Sequence, residues 1–196
     1  MKRFPLEQYA SLELNQVAFP KTGMVVSQTP LGSEFDKDHP CENGMWVLAD
    51  KSKGTIGSVQ NLTDTPVGIV YTAEKEYDVF HYGLKTFGRK VEVDYPRVGI
   101  LGLGDTVTTN CLQYDENEFA AVTTSGSEKT SDEVLFDALK AYATTPVYVI
   151  LVAGSPVPQL TNTIPNGYAG PVGKVTKFYT VPNGEKGVKY QIVSLG

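Results

Sequence analysis

Cysteine, histidine and tryptophan are scarce in this chain. Its 196 residues include two cysteines, two histidines and one tryptophan. Two cysteines cannot build a disulfide framework, and we expect Cys41 and Cys111 to be free, partly buried thiols. A relay that needs an imidazole has only His39 and His81 available, and no Gly-x-Ser-x-Gly motif occurs. We expect His39 to be a solvated loop residue, His81 a structural histidine and Trp46 a core residue.

Clustered positive charge and long apolar runs are also missing. Lysine and arginine total 17 against 22 acidic residues, for a net charge of -5, and the sequence shows no lysine/arginine cluster. This charge gives no reason to expect nucleic acid or an anionic membrane as a partner. No apolar run approaches the roughly 20 residues that a membrane-spanning helix needs.

The abundant residues favour strands and turns. The chain contains 19 glycines, 12 prolines, 11 tyrosines and 8 phenylalanines, which is typical of β-structure with many turns. Polar and apolar residues alternate strictly over residues 90–95, and Asn183-Gly184 predicts a hairpin between residues 174–181 and 186–193. We therefore predict a mainly β fold, either a β-barrel or a β-sandwich.

One α-helix is predicted near residues 130–144. Thr130 can cap its N-terminus together with Glu133, and apolar residues follow at helical spacing. Pro146 ends this pattern. Residues 147–154 are then apolar throughout, which indicates a strand buried on both faces.

Prolines divide the N-terminal region into short alternating segments without helical periodicity. We predict an extended arm for residues 1–35 and a β-rich domain for residues 36–196. That domain can be one unit, or two β-subdomains at 36–128 and 145–196 that the helix joins.

The segment RVGILGLGDTVTTNCLQYD, residues 97–115, has the glycine spacing of a nucleotide-binding loop. Gly102 and Gly104 supply the first two glycines of that motif, but its third position is Val107, and β-branched residues follow. A dinucleotide site needs a helix at this point. We instead predict a bent strand and a turn at Gly104-Asp105.

The segment DKDHPCE concentrates possible metal ligands: Asp36, Asp38, His39, Cys41 and Glu42. Oxygen, nitrogen and sulfur donors so close together could hold a metal ion. However, no second cluster supplies partner ligands, and the spacing is not that of a calcium loop. The segment is therefore interpreted as a charged loop.

Carboxylate pairs suitable for glycoside hydrolysis offer little support for an enzyme. Asp94 with Asp105, or Asp115 with Glu118, could be arranged for that chemistry. Any sequence with 22 acidic residues contains such pairs. We predict a protein that is not an enzyme, with no catalytic, cofactor-binding or metal-binding residues and no cofactor.

Two stretches carry a resemblance to a known class of proteins. They are GMWVLADKSKGTIGSVQNLTDTPVGIVYTAEKEYD, residues 44–78, and YPRVGILGLGDTVTTNCLQYDENEF, residues 95–119. In these stretches the chain resembles structural proteins of tailed-phage virions, most closely capsid decoration and auxiliary head proteins. The resemblance covers about residues 41–125 and consists of strand-and-turn patterns.

The resemblance implies a virion component that binds and stabilises the capsid exterior after assembly in the host cytoplasm. Its implied partners are the major capsid protein, copies of the chain itself in a trimer or another symmetric assembly, or both. Residues 1–35 would contact a neighbour by adding a strand to its sheet. The alternatives are another virion component, such as a tail tube, fibre base or adaptor, and an extracellular carbohydrate-binding or hydrolytic β-domain.

Overall fold

The structure is a computed structural model. It describes residues 1–4, 10, 12, 25–27, 29–36, 38–72, 88–89, 95–115, 117–119, 146–180 and 185–196. Within these ranges the chain is mainly β, with a curled, half-barrel sheet and no α-helix. The mainly β prediction is therefore confirmed. The helix predicted at 130–144 lies outside the described residues.

The strands of the described ranges are short except near the C-terminus. In chain order they are β1 (Lys2–Arg3), β2 (Val25–Ser27), β3 (Cys41–Glu42), β4 (Trp46–Leu48), β5 (Gly57–Ser58), β6 (Val67–Val70), β7 (Gly88–Arg89), β8 (Val98–Ile100), β9 (Thr106–Thr109), β10 (Gln113–Tyr114), β11 (Tyr148–Val152), β12 (Ser155–Thr161), β13 (Val172–Thr180) and β14 (Lys186–Ser194). Within the described ranges, one 3₁₀ turn spans Lys51–Lys53.

These strands form three sheets. The largest has seven strands in the order β1-β10-β12-β11-β13-β14-β9, and the second has five in the order β2-β8-β6-β4-β5. Strands β3 and β7 form a separate pair. All neighbouring strands are antiparallel except β10 and β12. Strands from 36–128 and from 145–196 therefore pair within one sheet.

The core is organised by the alternation of side chains along the strands. Trp46 and Leu48 of β4 belong to a cluster that also contains Val149 and Tyr190 of the seven-stranded sheet. Val47, between them in sequence, belongs to a second cluster on the other face of the five-stranded sheet. Since neighbouring residues of a strand point to opposite faces, β4 is buried on both sides.

The described residues of the predicted arm are built into these sheets. Strand β1 pairs with β10, and Leu12 forms an isolated bridge with Thr109. Phe4, Ala10 and Leu12 are all buried. An extended arm over residues 1–35 is therefore not confirmed.

Strands β13 and β14 form the long hairpin that the sequence predicts. Pairing runs from Val172 opposite Ser194 to Thr180 opposite Lys186, with register shifts between Val172 and Gly173 and between Val175 and Lys177. The Asn183-Gly184 turn lies outside the described residues, as does the strand predicted at 90–95 apart from Tyr95.

Candidate functional site

The glycine-rich segment forms a turn between two strands, as predicted. The backbone N–H of Gly102 donates to Asp105 Oδ2 at 2.6 Å. Gly104 has a φ of 94°, and its N–H donates to the carbonyl of Ile192 at 2.9 Å. Strand β9 follows at Thr106. Because only glycine readily adopts that φ, Gly104 makes the tight turn possible. Its hydrogen bond to Ile192 attaches the turn to β14.

A pocket of about 410 Å³ lies where the first strand meets the turn between β11 and β12. Its polar lining is acidic, with three carboxylates against one guanidinium: Arg3, Glu34, Asp38, His39 and Glu42. Its apolar lining includes Phe35, Met45, Pro156 and Val157. The pocket can thus accept a chain that has an apolar stem and a cationic end.

The floor of the pocket is an ion pair between Arg3 and Glu42. Two guanidinium nitrogens donate to the Glu42 carboxylate, at 3.3 and 2.9 Å, and the N–H of Ala10 donates to the same group at 2.7 Å. Burial by itself lowers the pKa of Arg3, but the neighbouring Cys111 and Glu42 raise its pKa overall. This pair attaches β1 to β3.

Glu34 also lines the pocket, and it attaches to β5. Its Oε1 accepts the N–H of Ser58 at 2.9 Å. A Cβ atom on Gly57 would lie 2.5 Å from that oxygen. Glycine at this position therefore leaves the space that the carboxylate needs.

The predicted charged loop contributes part of the pocket. Asp38, His39 and Glu42 line it, whereas Cys41 lies in the core. Asp36 accepts the N–H groups of Asp38 and His39, each at 2.8 Å, and these bonds lower the pKa of Asp36. Among the described residues, no group of three or more His, Cys, Asp or Glu side chains is placed to hold a metal ion.

Both cysteines are free thiols, as predicted, and both are fully buried. Burial raises the pKa of Cys111 to about 12. Its N–H donates to Thr109 Oγ1 at 2.9 Å. Thiolate nucleophiles need a lowered pKa and access to solvent. The environment of Cys111 therefore favours a structural role.

The remaining candidate residues that the structure describes do not line the pocket. Asp105 forms the turn already described, and Asp115 accepts the N–H of Asn117 at 2.9 Å. Glu118 accepts Thr161 Oγ1 and the N–H of Asn162, both at 2.6 Å. His81 and Asp94 lie outside the described residues. Trp46 is a core residue, as predicted.

Sequence reasoning missed most of this pocket. The sequence places Arg3 and Glu34 in the predicted arm, and the turn between β11 and β12 has no recognisable motif. Only the density of charge in residues 36–42 pointed to the region.

A scan of protein-family models and searches of curated proteins and of solved structures find no match to this chain. In the described part of the chain, no helix has the length and hydropathy needed to cross a membrane.

We expect Arg3→Met to lower the free energy of unfolding by about 2–3 kcal/mol. Removing one partner of a buried pair typically costs roughly 3–5 kcal/mol, and the partial exposure of Arg3 reduces this. The Arg3 side chain is 37% exposed, whereas that of Glu42 is 5% exposed and would stay buried without its cation. Urea denaturation followed by circular dichroism measures the change.

The matched control is Arg97→Met, since Arg97 is exposed. It should change stability by less than about 0.5 kcal/mol. Adding Glu42→Leu to Arg3→Met should recover part of the loss, because the uncompensated charge is then removed. Equal effects of the two arginine substitutions would contradict the role given to Arg3.

Proposed function

We propose that this chain is a non-enzymatic structural protein of a tailed-phage virion, most like a capsid decoration or auxiliary head protein. The sequence resemblance over residues 41–125 is the first support. Its Pro-Val-Gly-Ile-Val motif corresponds to β6, which lies between β8 and β4 in the five-stranded sheet. The polar segment before it, between β5 and β6, is largely exposed. The exposed polar residues of this segment can vary without disturbing the core, which Val59 and Leu62 contact.

The main structural support for the proposal is that acidic side chains accept hydrogen bonds from the backbone. Three carboxylates accept backbone N–H groups in loops, namely Asp36 from Asp38 and His39, Asp105 from Gly102 and Glu118 from Asn162. Two more attach strands to other segments, namely Glu34 to Ser58 of β5 and Glu42 of β3 to Ala10. Such bonds hold irregular backbone in one shape. A rigid surface of loops suits a protein that binds neighbours, because little conformational entropy is lost on binding.

The proposed partners are the major capsid protein, copies of this chain, or both, in the virion. Contact through residues 1–35 stays a prediction. The described residues Phe4 and Leu12 are buried in this chain's own core, so a contact through this region would use the residues around them.

Immunogold electron microscopy tests the proposal. The particles are those produced from the genome that encodes this chain, and the antibody is raised against the purified chain. We expect gold on the heads of intact particles. An absence of gold from all particles, with the same antibody detecting the denatured chain in cell extracts, would contradict a virion role.

A tail component is the second candidate, and the β13–β14 hairpin favours it. Its strands have nine residues each, and long hairpins are common in tail-tube proteins. Gold confined to tails in the same experiment would replace the first candidate with this one.

A further inference from the structure

The charged residues in the strands of the β13–β14 hairpin are all positive, whereas the chain as a whole is acidic. These strands contain four lysines and no acidic residue: Lys174, Lys177, Lys186 and Lys189. The whole chain has 17 cationic and 22 acidic residues. The hairpin strands therefore carry a net positive charge on an acidic protein.

Two of these lysines are direct neighbours across the hairpin. Lys177 pairs in register with Lys189. Val188 and Tyr190, on either side of Lys189, lie in the core, so Lys189 faces outward. Like charges directly opposite each other destabilise a strand pair. An anionic partner on this face would relieve the repulsion.

The pocket lined by Arg3, Glu34, Asp38 and Glu42 has the complementary charge. Its apolar lining includes Met45 and Val157, against which the methylene groups of a lysine can lie. The exposed carboxylates of Glu34 and Asp38 can then accept the ammonium group.

The pocket cannot be filled by these lysines within one chain. Lys174 pairs with Tyr148, and β13 runs from there away from the turn that contains Gly154. Along β13, Lys177 lies three residues from the Lys174–Tyr148 pair. Along β11 and the turn that follows it, Gly154 lies six residues from the same pair in the opposite direction. At 3.3 Å per residue, the separation along the strands is roughly 30 Å.

We propose that the acidic pocket of one copy binds the outward face around Lys177 and Lys189 of the β13–β14 hairpin of a second copy, which we call the lysine face. The contact joins two different surfaces, so it produces a ring or a row of copies. The inference rests on the proposed structural function in taking a copy of this chain as the partner.

Charge exchange between the surfaces tests the proposal. Sedimentation velocity on the full chain should show concentration-dependent association that weakens with salt. Lys177→Glu should weaken self-association at least about tenfold, and so should Asp38→Lys, because close charge pairs across interfaces commonly contribute that much. Mixing the two variants should restore association, since each then supplies the surface that the other lacks.

Two further variants keep the test decisive. Lys189→Glu replaces Lys177→Glu if the latter alters the thermal unfolding midpoint. Lys53→Glu makes the same charge change at an exposed lysine outside the hairpin and should associate like the parent chain.

A parent chain that stays monomeric at all concentrations would overturn the proposal, as would variants that fail to restore association when mixed. If the parent chain does not self-associate but binds heparin, and Lys177→Glu abolishes that binding, the lysine face binds a polyanion and the proposal is overturned. The immunogold experiment is independent of these results. If mixing the variants restores association but no particle carries gold, this inference stands and the virion role is rejected.

Discussion

Trp46→Ala is expected to lower the free energy of unfolding by about 3–5 kcal/mol, the usual range for truncating a buried aromatic residue. Trp46 is fully buried between the two larger sheets. Its ring meets that of Tyr190 edge to face, with centroids 6.0 Å apart and planes at 61°. Removing the indole leaves a cavity in the part of the core that joins the sheets. Urea denaturation of parent and variant measures the loss.

A second substitution isolates the polar part of this contact. Trp46 Nε1 donates to the Tyr190 hydroxyl at 3.0 Å. Tyr190→Phe leaves the indole N–H without this acceptor and should cost about 1–3 kcal/mol. Tyr95→Phe removes the same atom from a side chain that is 58% exposed, and it should cost less than about 0.5 kcal/mol. If both substitutions had the same small effect, the buried hydrogen bond would be refuted.

Stability should fall steeply as the pH rises above 9. Burial raises the pKa of Cys111 from 9.0 to about 12. Burial also raises the pKa of Tyr168 to about 12 and that of Tyr190 well above its usual value. Each folded-state pKa lies above the unfolded one, so these contributions are complete at lower pH and are lost as the pH rises. Cys111 alone should account for roughly 4 kcal/mol between pH 9 and 12.

Cys111→Ala provides the decisive comparison. One proton bound only by the folded state changes stability by about 1.4 kcal/mol per pH unit. The slope of unfolding free energy between pH 9 and 12 should therefore be shallower by about that amount in the variant. This difference in slope does not depend on the stability that the substitution itself removes. Identical slopes would show that Cys111 ionises as readily in the folded protein as in the unfolded one.

Local structure could be predicted well where one pattern dominates. The C-terminal hairpin follows from alternation and an Asn-Gly turn, and its strands are paired as expected. The turn at Gly104 could be predicted because β-branched residues exclude a helix after it. The double burial of β4 could not be predicted, because it depends on which distant strands cover each face.

The pocket and the lysine face depend on tertiary pairing. Arg3 and Glu42 are 39 positions apart and become partners only when β1 joins β10. The lysines of the hairpin are spaced along two strands and form no run in the sequence. The register shift after Val175 determines that Lys177 lies opposite Lys189. A search for contiguous basic clusters therefore missed this surface.

Quantitative mass spectrometry of gradient-purified particles tests directly whether this chain is a structural part of a virion. We expect the chain to sediment with intact particles in many copies per particle, in a fixed ratio to the major capsid protein. Complete recovery of the chain in the soluble fraction, with none in the particles, would contradict it.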